Sequence, residues 1–161
     1  MTPAELAQHK VAPKRLAGTL AFKPVKRGKL PKPFHKMGGP RLRATELTSV
    51  SEIHRVLFVW RDGELKTDSL FLAWLLCEME EEVLFPLFEM HYHPSHKGLH
   101  AKLPCKTDIN YEGRQLVKAP ELTLSSVDGL DPRNEADRQQ LINRFCQACS
   151  ITMGDGGGLW N

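Results

Sequence analysis

Apolar residues in the middle of the chain fall into short runs that predict β-strands. HRVLFVW at 54–60 precedes RDGE, a sequence typical of a turn. LFLAWLLCEM at 70–79 is apolar at nearly every position, so its periodicity does not separate strand from helix. The charged EMEEE after it favours a strand that ends in a turn. Three further strands are predicted at 83–93, where Pro86 indicates a bulge or an edge position, at 98–105 and at 114–120.

The pattern changes near the C-terminus, where LDPRNEADRQQLINRFCQACS at 130–150 predicts a helix. Asp131 suits the N-cap, Pro132 the first helical position and Glu135 the acidic first turn. One helical face then carries four apolar or thiol side chains, at Leu141, Ile142, Phe145 and Cys149. Sequential strands before a helix predict a small α+β domain, in which a twisted antiparallel sheet of three to five strands packs against the C-terminal helix.

Charge divides the chain into two parts. Residues 1–43 contain 11 Lys or Arg and one acid (11 − 1 = +10), whereas residues 44–161 contain 11 Lys or Arg and 18 acids (11 − 18 = −7). The basic part is rich in proline and shows little apolar periodicity, which predicts a flexible N-terminal arm. The expected organisation is this arm over 1–43, one α+β domain over 44–153 and a flexible glycine-rich tail over 154–161.

Besides keeping the protein soluble, the basic arm could have either of two roles. It could run along phosphates and release their counterions, or dock on an acidic protein partner or inhibitor. Together with two cations near the histidine-rich segment, it supplies the predicted nucleic-acid contacts, which are Lys26, Arg27, Lys29, Lys32, Lys36, Arg41, Arg43, Lys97 and Lys106.

Neither a membrane span nor a secretory signal is expected, because the apolar runs are too short and the basic N-terminus lacks an apolar core. Four cysteines do not form a dense disulfide framework, so reduced thiols and a cytoplasmic location are expected. Cys146 and Cys149 form a C-x-x-C at the predicted helix end, where the helix dipole opposes a thiolate. Buried, inert thiols are therefore the expected role of this pair.

The segment EMHYHPSHKGLHAKLPC at 89–105 holds four of the chain's seven histidines. Strand alternation places Glu89, His91 and His93 on one face of the first strand, and His100 and Lys102 on one face of the second. Antiparallel pairing in either of two registers joins these five side chains on a common, solvent-facing surface. One register puts His91 opposite His100, and the other puts His93 opposite His100. A slip by one residue would bury the rings, so it is disfavoured.

This surface favours cleavage of RNA without a metal ion. A base would take the proton of the 2′-hydroxyl, and an acid would protonate the leaving 5′-oxygen. His91 and His100 are the expected acid/base pair, with His93 or Glu89 as substitute or orienting group and Lys102 as electrostatic stabiliser. The arrangement, over residues 54–105, resembles the small sheet-based ribonucleases of the barnase and EndoU-like toxin group. Those enzymes place His, Glu or Lys on one face of an antiparallel sheet, and the resemblance implies a toxin-like ribonuclease.

Three alternatives remain open. His91 and His93 could chelate Zn or Fe, with His100 or Glu89 as the third ligand, although Lys102 on the same face opposes a dication. The protein could instead be a non-enzymatic nucleic-acid-binding or inhibitor module that uses its basic arm. The histidines could also be solvated and inert, as is expected for His96 in the turn.

Overall fold

The computed structural model describes residues 2–80, 83–95, 98–103, 109–111 and 129–154. Two helices, ten strands and one 3-10 turn lie in these ranges. In chain order they are α1 (Pro3–Val11), β1 (Lys14–Leu16), β2 (Lys23–Val25), β3 (Gly39–Ala44), β4 (Thr48–Ser49), β5 (His54–Arg61), the 3-10 turn (Lys66–Asp68), β6 (Leu70–Glu78), β7 (Leu84–His93), β8 (Gly98–Leu103), β9 (Ile109–Tyr111), α2 (Glu135–Ala148) and β10 (Ile151–Met153).

The architecture is α+β, as predicted, but the sheet is larger than the expected three to five strands. Seven strands pair in the order β2-β3-β5-β6-β7-β8-β9, and the two-residue β4 pairs with β5 beside this path. Every pairing in this sheet is antiparallel. Several of the additional strands are only two or three residues long, which is too short for a periodic pattern to predict.

Both faces of the central strands are buried. One face packs against α2 and forms the larger core, which includes Phe58, Phe71, Phe88 and Phe145. The opposite face carries a second core, in which Leu57, Val59, Trp74 and Leu76 pack against residues from the N-terminal part of the chain. Burial on two faces explains why 70–79 is apolar at nearly every position, since a strand covered on both sides needs no polar face.

The N-terminal 43 residues, predicted to be a flexible arm, contain secondary structure and buried side chains. Leu6 and Leu16 belong to the larger core, and Val25 and Phe34 to the second. The expected domain boundary at 43/44 cuts through β3. Short elements that pair with distant parts of the chain show little local periodicity, so composition alone suggested flexibility.

The segment between β2 and β3, residues 26–38, forms a lysine-rich loop across the second core. Gly28 N–H donates to the carbonyl of His35 at 2.8 Å, which ties the two ends of the loop together. Phe34 is buried, while Leu30 and Met37 are partly buried against the second core. The cations of this loop, at Lys26, Arg27, Lys29, Lys32 and Lys36, are exposed.

Helix α2 begins later than predicted. Its N-cap is Asn134, whose side chain accepts a hydrogen bond from the Asp137 N–H. The predicted cap, Asp131, binds the backbone and guanidinium of Arg133 instead, and this contact holds the pKa of its carboxyl below the usual value. The predicted face is confirmed, because Leu141, Ile142, Phe145 and Cys149 are all buried.

The two ends of the chain meet in a separate two-stranded pairing. After α2, β10 pairs in parallel with β1, and Leu16 lies opposite Met153. Residues 155–161 of the predicted tail, and the predicted strand at 114–120, lie outside the described residues. Neither α1 nor α2, the helices of the described part of the chain, has the length and apolar character needed to span a bilayer.

Candidate functional site

Strands β7 and β8 position the histidines. Their register pairs His91 directly with His100, Glu89 with Lys102, and His93 with Gly98. This is the first of the two registers that the alternation allowed. The predicted bulge near Pro86 is confirmed as well, because the pairing of β6 with β7 shifts there, between Leu75 and Leu76.

Three imidazole rings converge at this point of the sheet. The ring centroids of His91 and His100 are 5.2 Å apart, those of His93 and His100 5.3 Å, and those of His91 and His93 6.2 Å. One ring nitrogen from each of the three lies within 4.8 Å of the other two. His100 is buried, and His91 and His93 are half-buried. These three residues form the histidine cluster.

Glu89 orients one member of the cluster. Its Oε2 lies 3.0 Å from Nε2 of His91, and the side chains are 25% and 15% exposed, respectively. Because an ionised carboxylate only accepts, Nε2 of His91 carries the donated hydrogen. A neutral His91 in this tautomer keeps its lone pair on Nδ1, where it can bind an electrophile.

Apolar side chains from β6 border the cluster on the same face. Leu72 pairs with His91, and Trp74 pairs with Glu89. The Trp74 ring meets the His91 ring edge-on at 6.2 Å, and Phe34 packs on Trp74 with centroids 4.9 Å apart. The surface is therefore less open to solvent than the alternation suggested, since the second core extends to its edge.

The other predicted site residues lie in several parts of the fold. Lys102 is placed by register opposite Glu89, and Lys97 and Lys106 lie outside the described residues. Arg41 and Arg43 alternate with Leu42, which belongs to the second core, so they face away from the histidines. Arg41 pairs with Glu64, and Arg43 lies 6.0 Å from the centre of the Trp60 ring.

Sequence reasoning missed the aromatic contact between the lysine-rich loop and the site. Trp74 belongs to the second core, and its contacts with Phe34 and His91 were not predicted. A signal was present, because KPVKRGKLPKPFHKM contains apolar residues among its cations. Val25, Leu30, Phe34 and Met37 are the residues that pack on the second core.

A second group of histidines connects α1 to β5. His54 is buried, with its Nδ1 2.7 Å from the Ser51 hydroxyl and its Nε2 3.0 Å from Nδ1 of His9. Burial, reinforced by the charges of Lys14, His9 and Arg55, lowers the pKa of His54 to about 4. A neutral ring satisfies both contacts, because Nδ1 accepts from Ser51 and Nε2–H donates to His9. We interpret these hydrogen bonds as structural.

The C-x-x-C pair lies in the core. Cys146 and Cys149 are buried, and burial raises the pKa of the Cys146 thiol to about 12 and that of Cys149 well above its ordinary value. Both thiols therefore remain protonated near neutral pH and pack as small apolar groups.

Comparison of the chain with protein-family models, curated proteins and solved structures finds no match. The function of this protein must therefore be inferred from the geometry of its described residues.

Proposed function

We propose that His91, His93 and His100 bind one transition-metal ion, and that this ion activates a water molecule for hydrolysis. The observation that supports the proposal is the convergence of one ring nitrogen from each histidine within 4.8 Å. In a tetrahedral site, two nitrogens bound to one zinc ion at 2.0–2.1 Å are roughly 3.4 Å apart. Movement of each ring by up to roughly one ångström would therefore bring the three nitrogens onto an ion.

The ligand set fits Zn²⁺ better than Fe²⁺. Three neutral imidazoles leave the full dipositive charge on the ion and a fourth position for water, whose pKa such sites lower to about 7. Non-haem Fe²⁺ sites usually include a carboxylate ligand. Here the carboxylate of Glu89 accepts from Nε2 of His91 at 3.0 Å. If the ion binds Nδ1 of His91, Glu89 has the position of a residue that orients a metal ligand.

Metal-free cleavage of RNA by an acid/base pair is the second candidate. The direct pairing of His91 with His100 and the Glu89–His91 contact support it. The geometry of the substrate favours it less. An acid and a base must each reach a different oxygen of one phosphodiester at about 2.6–3.2 Å, so the phosphate would have to lie between the rings. The cluster would have to open to admit the phosphate, whereas it needs only to contract around an ion.

Metal titration tests the proposal. Protein freed of metal with EDTA and then dialysed should bind one equivalent of Zn²⁺ in isothermal titration calorimetry. His91→Ala, His93→Ala and His100→Ala should each abolish tight binding, while His35→Ala, which removes a histidine outside the cluster, should not. Substoichiometric binding, or binding that survives all three substitutions, would contradict the proposal.

An RNA cleavage assay separates the two candidates. If the metal-activated water hydrolyses RNA, cleavage disappears in EDTA and returns with Zn²⁺. Under the second candidate, cleavage persists in EDTA and is lost in His91→Ala and His100→Ala.

A further inference from the structure

A cleft lies on the sheet face that carries the histidine cluster, beside β2 and β3. Its volume is about 380 Å³. Apolar side chains, including Val25, Leu30, Pro31 and Leu47, contribute to its lining, which also includes the exposed Lys26 and Lys29. Lys23 also lines the cleft and pairs with Glu46 at 3.6 Å, so these two charges offset each other.

A row of directly paired residues, running across neighbouring strands of the sheet, connects the cleft to the histidine cluster. Ala44, which lines the cleft, pairs with Val59; Val59 pairs with Leu72, and Leu72 pairs with His91. Directly paired residues in antiparallel strands lie on the same face. Three strand spacings separate Ala44 from His91, which is about 14 Å. At about 3.4 Å per nucleotide, this distance corresponds to roughly four stacked nucleotides of a single strand.

The lysine-rich loop covers the space between these two places. Phe34 anchors it on Trp74, and Trp74 touches His91, while the loop's cations face outward. Between Glu5 and Glu46 the chain contains no acid, so the loop's positive charge has no acidic neighbours in sequence. A polyanion that crosses the loop would reach the histidines from the cleft without meeting a carboxylate of the loop.

We propose that this surface binds single-stranded nucleic acid, with one base in the apolar cleft and its phosphates over Lys29, Lys32 and Lys36. An apolar cleft with exposed lysines in its lining matches a nucleotide, which has a flat apolar base beside an anionic phosphate. The identification of this nucleic acid as the substrate rests on the proposed function of the histidine cluster. Binding itself requires no metal.

The test measures the fluorescence anisotropy of labelled oligouridylate in EDTA, so that a failed metal site cannot affect the result. Lys32→Ala/Lys36→Ala should weaken binding about 25-fold at about 0.1 M salt, and reduce the slope of log K against log salt by about 1.4. Arg15→Ala/Arg144→Ala removes the same charge from the helix side of the sheet and should change neither quantity appreciably. Equal losses in both double variants would overturn the proposed path.

Two further probes test the cleft. A ten-residue oligouridylate should bind more tightly than an abasic ten-residue strand of equal charge, because only the former supplies a base. A three-residue oligouridylate should lose much of the affinity, because it carries too few phosphates to contact the three lysines while one base occupies the cleft. Equal affinity of the abasic strand would overturn base binding, and absence of RNA binding would overturn the inference while leaving the zinc titration unaffected.

Discussion

His91 and His100 occupy directly opposed positions on β7 and β8, with ring centroids 5.2 Å apart. Two rings this close on a partly buried face would repel each other if both were protonated. His93 adds a third ring 5.3 Å from His100. Three neutral rings at these distances can instead share one cation through their lone pairs, which is the physical reason to propose a metal centre at this pairing.

Replacement of Glu89 with Gln should weaken Zn²⁺ binding about 10- to 100-fold, the usual cost of losing a carboxylate that orients a histidine ligand. The substitution keeps the side-chain shape but removes the charge that favours Nε2–H on His91. Calorimetry on the metal-free protein measures the change. Glu78→Gln is the matched control, since Glu78 pairs with Arg55 elsewhere in the sheet. An equal loss of affinity in both variants would argue against an orienting role for Glu89.

Loss of the Trp74 ring should disturb both the second core and the cluster. Trp74→Ala is expected to lower the free energy of unfolding by about 3–5 kcal/mol, measured by urea denaturation. Trp74→Phe should remain folded but weaken Zn²⁺ binding, because the edge contact with His91 is altered. Trp60→Phe, on the α2 face, is the control and should leave zinc affinity unchanged. If both Phe variants bind zinc like the parent protein, the Trp74 contact has no influence on the cluster.

Acidification should destabilise the protein through His54. Its folded pKa of about 4 lies below the ordinary value of 6.5, so the unfolded state binds more protons between these two pH values. Stability from this residue is therefore complete above pH 6.5, decreases as the pH falls towards 4, and is constant below that. The full loss is about 3 kcal/mol. The difference in unfolding free energy between the parent and His54→Gln should shrink over this window, and a pH-independent difference would contradict the assignment.

Gly38→Ala should displace the lysine-rich loop. A Cβ at this position would lie 2.5 Å from the backbone nitrogen of Arg27, and backbone atoms cannot yield as a flexible side chain does. We expect a loss of about 1–3 kcal/mol in unfolding free energy and weaker oligouridylate binding. Gly18→Ala introduces backbone strain at φ +80°, and its Cβ would have no atom within 4 Å. It should therefore reduce stability but leave oligouridylate binding unchanged. Unchanged RNA binding in Gly38→Ala would separate the loop from nucleic-acid recognition.

The sequence alone determined which residues of β7 and β8 share a face. Strand side chains alternate with a period of two, so Glu89, His91 and His93 had to lie together, and a one-residue slip would have buried the imidazoles. The sequence also indicated the face of α2, because its apolar residues recur at helical spacing. These are local consequences of backbone geometry, and they required no knowledge of distant contacts.

The tertiary structure decided between the two permitted registers and placed the N-terminal residues. Phe34 packs on Trp74 from a position forty residues earlier in the chain, and no local pattern predicts such a pairing. Asp131 and Asn134 were both possible N-caps of α2. Asp131 binds Arg133 in the folded chain, and Asn134 caps the helix. Period and charge are properties of neighbouring residues, whereas the shape of the site depends on long-range packing, which only the folded chain determines.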